Sequence, residues 1–477
     1  MKITQLFELG VTQHEIDFVD IDTEADMPLF LDPLFLSSRR DAWSVKASRS
    51  IRSFFQTFVR YAREGELDRA RALFNHLHEP NETCLGLSRG GPRGRAIGVD
   101  NAQKLFESIL ASRAVETGIV EDLEDFRLFV PGIDKDKVSD MTTNIIRSHL
   151  IEYTKSQCEL WGIPMQPRMP TGFCWDRGSA SWVNGFDDAL VVDGKRILLT
   201  PKAVVSFVKK YTADIYYRHF ALTFLQHEHL SMGSALVQHR KDGTPYVTKE
   251  SLKERVAPFS KEFLAEFTGK HPDIFRDFRG WAIAQSAPLT NADLTESDPA
   301  EVARFLAQQL REVAPGSEGA TRYHRLCTGI LEFLLYPKLT SPVIEQEINQ
   351  GRKRVDLVFD NSAESGFFFR VHNTYQIPAQ FVFVECKNYN RELANPEVDQ
   401  MNGRFSVNAG KVGLLMFRDA EDFQTLLLRC RDLYLAQRNV ILPVRDRDLL
   451  DLLDNYGATL DGRVEAMLSD RFRAISL

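Results

Sequence analysis

Residues 351–390 read GRKRVDLVFDNSAESGFFFRVHNTYQIPAQFVFVECKNYN, and this stretch decides the fold. RKRVDLVFDN near its start reads as a strand, and AQFVFVECKNY at its end as another, dense in Phe and Val. Side chains alternate across a strand, so Glu385 and Lys387 share one side of the sheet and Cys386 faces away. An Asp on the neighbouring strand, Asp356, can meet Glu385 at the sheet's edge. A charged Glu-x-Lys at the tip of so apolar a strand is costly unless it serves a purpose.

The flanking segments extend the pattern. TRYHRLCTGILEFLLYP (321–337) reads as a helix stopped by Pro337, and SPVIEQEINQ (341–350) as the strand before those two. After them come a helix in ANPEVDQMNGRF (394–405), a buried strand in KVGLLMF (411–417), a helix in EDFQTLLLRCRDLYLAQR (421–438) and a last strand in NVILPV (439–444). The order α-β-β-β-α-β-α-β predicts a mixed sheet with helices on both faces.

Two convergent carboxylates with a lysine two residues on suit metal-assisted phosphodiester hydrolysis. Hard carboxylate oxygens hold Mg²⁺, which neutralises phosphate charge and lowers the pKa of bound water. A lysine ammonium can orient or deprotonate that water and stabilise developing negative charge.

Residues and element order together resemble the PD-(D/E)xK nuclease superfamily, the restriction-endonuclease-like fold, and most closely its Mrr-type and Holliday-junction-resolvase branches. Asp356 matches the first acidic position and Glu385-x-Lys387 the E-x-K element. The resemblance implies that Asp356, Glu385 and the backbone carbonyl of Cys386 hold Mg²⁺, with Mn²⁺ able to substitute, and that Lys387 positions the water. It implies that Glu332, in the preceding helix, and Gln400, in the following one, complete the site; Glu345 and Glu347 are alternatives to Glu332. Two positions depart from the pattern: Val355 replaces the Pro of the family name, and Arg404 stands where a Tyr is common. Arg352, Lys353 and Arg354 are placed to contact a phosphate backbone, or else form a solvated charge run, and Asn388, Tyr389 and Asn390 can line the same groove. The resemblance covers 321–445, about a quarter of the chain.

The remainder is less legible. A length of 477 residues suits two or three domains. Residues 1–165 read as a mostly helical domain, 166–290 as a second α+β part of the same region, 291–320 as a linker helix and linker, and 321–477 as the nuclease domain. The fold class expected is therefore multidomain, a largely α-helical N-terminal region before an α/β domain. Within it, 44–75 has helical spacing, Asp100 caps one helix, and Ser139 or Asp140 caps another running to Trp161. ALVVDGKRILLTPK (189–202) reads as strand, Asp-Gly turn, strand, and about 202–239 as a long helix.

Composition removes whole classes. At 43% hydrophobic and 26% charged the chain is ordinary globular protein, neither disordered nor collagen-like. With 59 Lys and Arg against 66 Asp and Glu, the net charge of −7 requires any nucleic acid to be met by a local basic surface. Its 6 cysteines include no Cys-x-x-Cys pair, which argues against a zinc knuckle or disulfide framework and for a reducing cytoplasm. Acids interrupt the first thirty residues, and no apolar run reaches the ~18 residues of a membrane span, so no membrane association is expected.

Other motifs carry less. RGGPRGR (89–95) lacks the Gly-Lys-Ser/Thr ending of a phosphate loop. His219, His227, Glu228 and His229 do not share a helix face at zinc spacing, and the acids of VEDLEDF and DKDKVSD lack calcium-loop spacing. The expectation is a Mg²⁺-dependent DNA endonuclease of prokaryotic restriction or anti-phage defence. Its N-terminal region would target or gate cleavage, alone as a homo-oligomer or with a protein of the same system. A repair or junction-resolving nuclease and a non-catalytic DNA-binding subunit are the alternatives.

Overall fold

The computed structural model describes residues 1–86, 99–112, 118–348, 353–388, 395–419 and 422–477; the side chains of 99–104, 345–348, 353–355 and 395 lie outside the description. The N-terminal region is mostly helical and carries, among the described residues, four small sheets of two or three strands. Helix α1 (Ala42–Arg63) starts at Asp41, whose carboxylate accepts the Ser44 N–H at 2.9 Å, and buries Ile51, Phe54, Phe55 and Phe58 at the three-to-four spacing of one helix face. The helical run to Trp161 is two helices, α2 (Lys135–Ile145) and α3 (Arg147–Trp161). Its cap is Asp134, accepting the Lys137 N–H at 3.1 Å, and not Ser139 or Asp140, which lie inside α2. Asp100 likewise falls within a helix, Val99–Leu110.

Strands β1 (Phe186–Val192) and β2 (Lys195–Ile197) pair antiparallel around Asp193-Gly194. Both turn residues have positive φ, 49° and 74°, as a two-residue turn matching the strand twist requires. The stretch 202–239 is not one helix. Val205–Ser206 is extended and pairs with Phe30–Leu31; Thr212 then caps a new helical start, Tyr216–Ala221 winds as a π-helix, and the regular helix ends at Ser231. Pairing with a distant segment overrides local helical preference there.

Beyond it lie α4 (Pro299–Glu312), α5 (Ala320–Leu335), β3 (Leu339–Ile348), β4 (Lys353–Asn361), β5 (Phe381–Lys387), α6 (Asn395–Asn402), β6 (Val412–Phe417), α7 (Phe423–Gln437), β7 (Val440–Arg445), α8 (Asp446–Asp454) and α9 (Leu460–Ser476). The five strands form one mixed sheet in the order β3-β4-β5-β6-β7. Strand β4 runs antiparallel to both of its neighbours, β3 and β5, and β5, β6 and β7 run parallel. Every residue of β6 and of β7 is buried, as strands covered on two faces must be. The alternation read from the sequence matches this order except between β4 and β5, where a short helix, Gly366–Phe369, continues as a π-helix over Arg370–Thr374.

Helix α4 packs Val302, Leu306 and Leu310 into the core, beside α8. The N-terminal region is fixed to the sheet by buried hydrogen bonds. Asp17 accepts the Ser341 N–H at 3.0 Å with one oxygen and the Tyr153 hydroxyl at 2.6 Å with the other, and Gln157 donates to the Pro342 carbonyl at 2.8 Å. One apolar core runs through both regions, from Ile3 to Ile475. Among the described residues no helix is long and apolar enough to cross a membrane.

Candidate active site

The site lies where β5 ends. Pairing of Leu357 with Val384 and of Phe359 with Val382 puts Asp356 opposite Glu385, one step past the last paired residues. Residues facing each other across antiparallel strands project to the same face. The Asp356 carboxylate turns toward β5 and accepts the Cys386 backbone N–H at 2.7 Å, while its side chain stays 22% exposed. Glu385 is almost wholly enclosed, at 2% exposure. One of its oxygens accepts the Lys387 ammonium at 2.6 Å, and the other pairs with the guanidinium of Arg404. Lys387 also donates to the Gln400 side-chain carbonyl at 3.3 Å. Strand alternation thus brings Glu385 and Lys387 together as expected, and α6 supplies Gln400.

The Cys386 side chain points the other way and is buried. The adjoining Cys327 thiol and burial raise its pKa well above the ordinary cysteine value, so it is a neutral packing group rather than a nucleophile. Its carbonyl stays on the site and lies 3.2 Å from His324 Nε2. The same ring nitrogen is 3.9 Å from Asp356.

His324 was missed in the sequence, and topology explains how it could have been found. Helix α5 leads into β3, which runs antiparallel to β4, and β4 antiparallel to β5. The carboxyl end of β5 therefore lies beside the end of β3 and the beginning of α5. Glu332 sits eight residues further along α5, roughly 12 Å along the helix axis. It does not join Asp356 and Glu385. Buried at 1% exposure, it pairs with Lys202 of the N-terminal region at 3.3 Å, and burial holds its pKa up. Glu345 and Glu347 are in β3, with side chains outside the described residues.

Asn388 is turned inward rather than toward a groove. It is 5% exposed, and its amide donates to the carbonyls of Ala314 and Gly316, both at 2.9 Å, tying the end of β5 to the loop before α5. Arg352, Tyr389, Asn390 and the segment 89–95 lie outside the described residues, as do the side chains of Lys353 and Arg354. Arg404, noted in the sequence only as a departure from a motif, is a site residue. The chain turns directly after α6, with the Arg404 N–H donating to the Met401 carbonyl at 3.1 Å. Phe405 then packs on Phe383 with ring centroids 5.6 Å apart, which anchors the turn against β5.

Among the described residues, no group of three or more His, Cys, Asp or Glu side chains is arranged to hold a metal ion by itself. A cation here would rest on Asp356, Glu385 and the Cys386 carbonyl, an all-oxygen donor set. That chemistry fits a hard ion such as Mg²⁺, which keeps several waters and needs only one or two carboxylates.

A family model described as a domain of unknown function, DUF8370, matches residues 8–212, a stretch that ends before the five-stranded sheet begins. No curated protein and no solved structure matches the chain.

Proposed function

We propose that the chain is a Mg²⁺-dependent DNA endonuclease whose sheet-bearing part is a restriction-endonuclease-like domain. The observation that carries this reading is Lys387 bonded at once to Glu385 and Gln400, with Asp356 opposite, at the tip of a buried strand. In the bound state the ion would neutralise phosphate charge and lower the pKa of its water. Asp356, Glu385 and the Cys386 carbonyl are the residues that would hold it. Lys387 orients the attacking water and faces charge developing on the phosphate. Gln400 fixes the direction of that ammonium. Residues 1–290, joined to β3 through Asp17 and Gln157, act as the part that targets or gates cutting, in the manner of prokaryotic restriction and defence effectors in the cytoplasm.

Supercoiled plasmid incubated with the full chain and Mg²⁺ should be nicked or linearised, EDTA should stop the reaction, and Lys387→Ala should abolish it with the circular dichroism spectrum unchanged. A Lys387→Ala protein that cuts like wild type overturns the assignment. One observation favours a second reading, a DNA-binding subunit without activity: both oxygens of Glu385 are already taken by cations. Calorimetric binding of Mg²⁺ separates the two.

A further inference from the structure

Arg404 stands out at this site by what it leaves unsatisfied. Its side chain is 1% exposed, and only one of its terminal nitrogens has a partner, Glu385. Its Nε and other terminal nitrogen are buried and without a hydrogen-bond partner among the described residues. A buried guanidinium normally spends its five donors, because leaving them dry costs free energy. The ion pair with Glu385 supplies the charge balance here, since two carboxylates, Asp356 and Glu385, face two cations, Lys387 and Arg404. Among the described side chains these four charges balance without any metal.

A divalent ion entering beside Glu385 must share or displace an oxygen that Arg404 or Lys387 holds, and it adds two positive charges to a balanced set. An anion arriving with it restores the balance, and the idle donors of Arg404 are the kind that bind phosphate oxygens. We propose that Arg404 is a built-in counter-cation. It holds Glu385 while no divalent ion is present and makes metal uptake depend on a phosphodiester arriving at the same site. This inference rests on the metal-dependent reading above. By linkage, DNA then raises metal affinity and metal raises DNA affinity by the same factor.

The test is calorimetric titration of the full chain with Mn²⁺ alone, and with Ca²⁺ in the presence and absence of a short DNA duplex, so that binding is read without cutting. Wild type should take Mn²⁺ weakly alone and take Ca²⁺ markedly more tightly with duplex present. Arg404→Met, and Arg404→Gln if the Met variant folds poorly, should bind Mn²⁺ alone about 10-fold more tightly, with the duplex effect reduced. Arg404→Lys, which keeps the charge, should behave like wild type. Equal Mn²⁺ affinity in wild type, Arg404→Met and Arg404→Gln overturns the role of Arg404 and leaves the metal reading standing. If none of these proteins binds either ion, with or without duplex, the metal reading falls and this inference with it.

Discussion

Asp360, on β4, caps a helix whose first turn lies far back in the chain: its carboxylate accepts the backbone N–H of Trp43, 317 residues earlier in α1, at 2.8 Å. Asp41 caps the same helix from within the chain's own N-terminal region, through Ser44. Two carboxylates therefore meet at one buried helix start. Burial, and then the charge of Asp41, push the Asp360 pKa up to about 7, against 3.8 for an ordinary Asp. The folded protein thus binds a proton here that the unfolded chain releases. Asp360 contributes stability that is full below pH about 4 and is lost as pH rises to about 7. Asp360→Asn should remove this slope. The difference in melting temperature between variant and wild type, followed from pH 4 to 8, should shift in the variant's favour by several degrees. A constant difference across that range would refute the assignment.

Glu332 should prove structural. Above pH about 8, where the buried carboxyl is ionised, Glu332→Gln leaves Lys202 buried with its ion-pair partner uncharged, and breaking such a pair costs about 3 kcal/mol. Urea unfolding should show that loss, while calorimetric Mn²⁺ binding stays at the wild-type value. Weakened metal binding in a folded Glu332→Gln protein would return this residue to the site.

Asp356→Asn should abolish cutting and the rise in melting temperature produced by millimolar Mg²⁺ or Mn²⁺, since binding to the folded form alone stabilises by mass action. It should leave DNA binding intact or stronger, read by gel shift in Ca²⁺, because one negative charge near the phosphate is gone. Gln400→Ala should slow cutting less than Lys387→Ala, for which general acid–base and water-positioning roles predict a loss of ~10² or more.

A fragment starting at Thr295 should not fold cooperatively. It loses Asp17, Gln157, Trp43 and Lys202, the partners of Ser341, Pro342, Asp360 and Glu332. Limited proteolysis of the full chain should release no stable piece of that size. A soluble fragment with a sharp melting transition would contradict the continuity of the core.

The parts of the fold legible in the sequence were those set by local rules. Asp193-Gly194 announces its hairpin because few residues accept positive φ at two successive positions. FVFVECK announces a buried strand because seven residues so rich in Phe and Val have no other easy place. Strand alternation puts Glu385 and Lys387 on one side, and the family resemblance points to Asp356; the register that sets Asp356 opposite Glu385 is seen only in the structure. What escaped depends on segments distant in the chain. Val205–Ser206 are extended because Phe30–Leu31 lie beside them, and no window around 202–239 contains that information. The family resemblance points to Glu332, but nothing in the periodicity of α5 tells which end of that helix reaches the site, and His324 is the α5 residue that stands there. Arg404 reaches Glu385 only through the turn after α6, a geometry that motif spacing does not encode.

Glu385, Cys386 and Lys387 are carried by the middle strand of the sheet, bonded to β4 on one side and β6 on the other. Backbone amides in such a position exchange with solvent water only when much of the molecule opens. Strand β5 should therefore be among the slowest-exchanging segments of the protein. On the proposed function, adaptation to a substrate would fall to side chains that can swing, such as His324 at 38% exposure, and not to the frame that bears the acids.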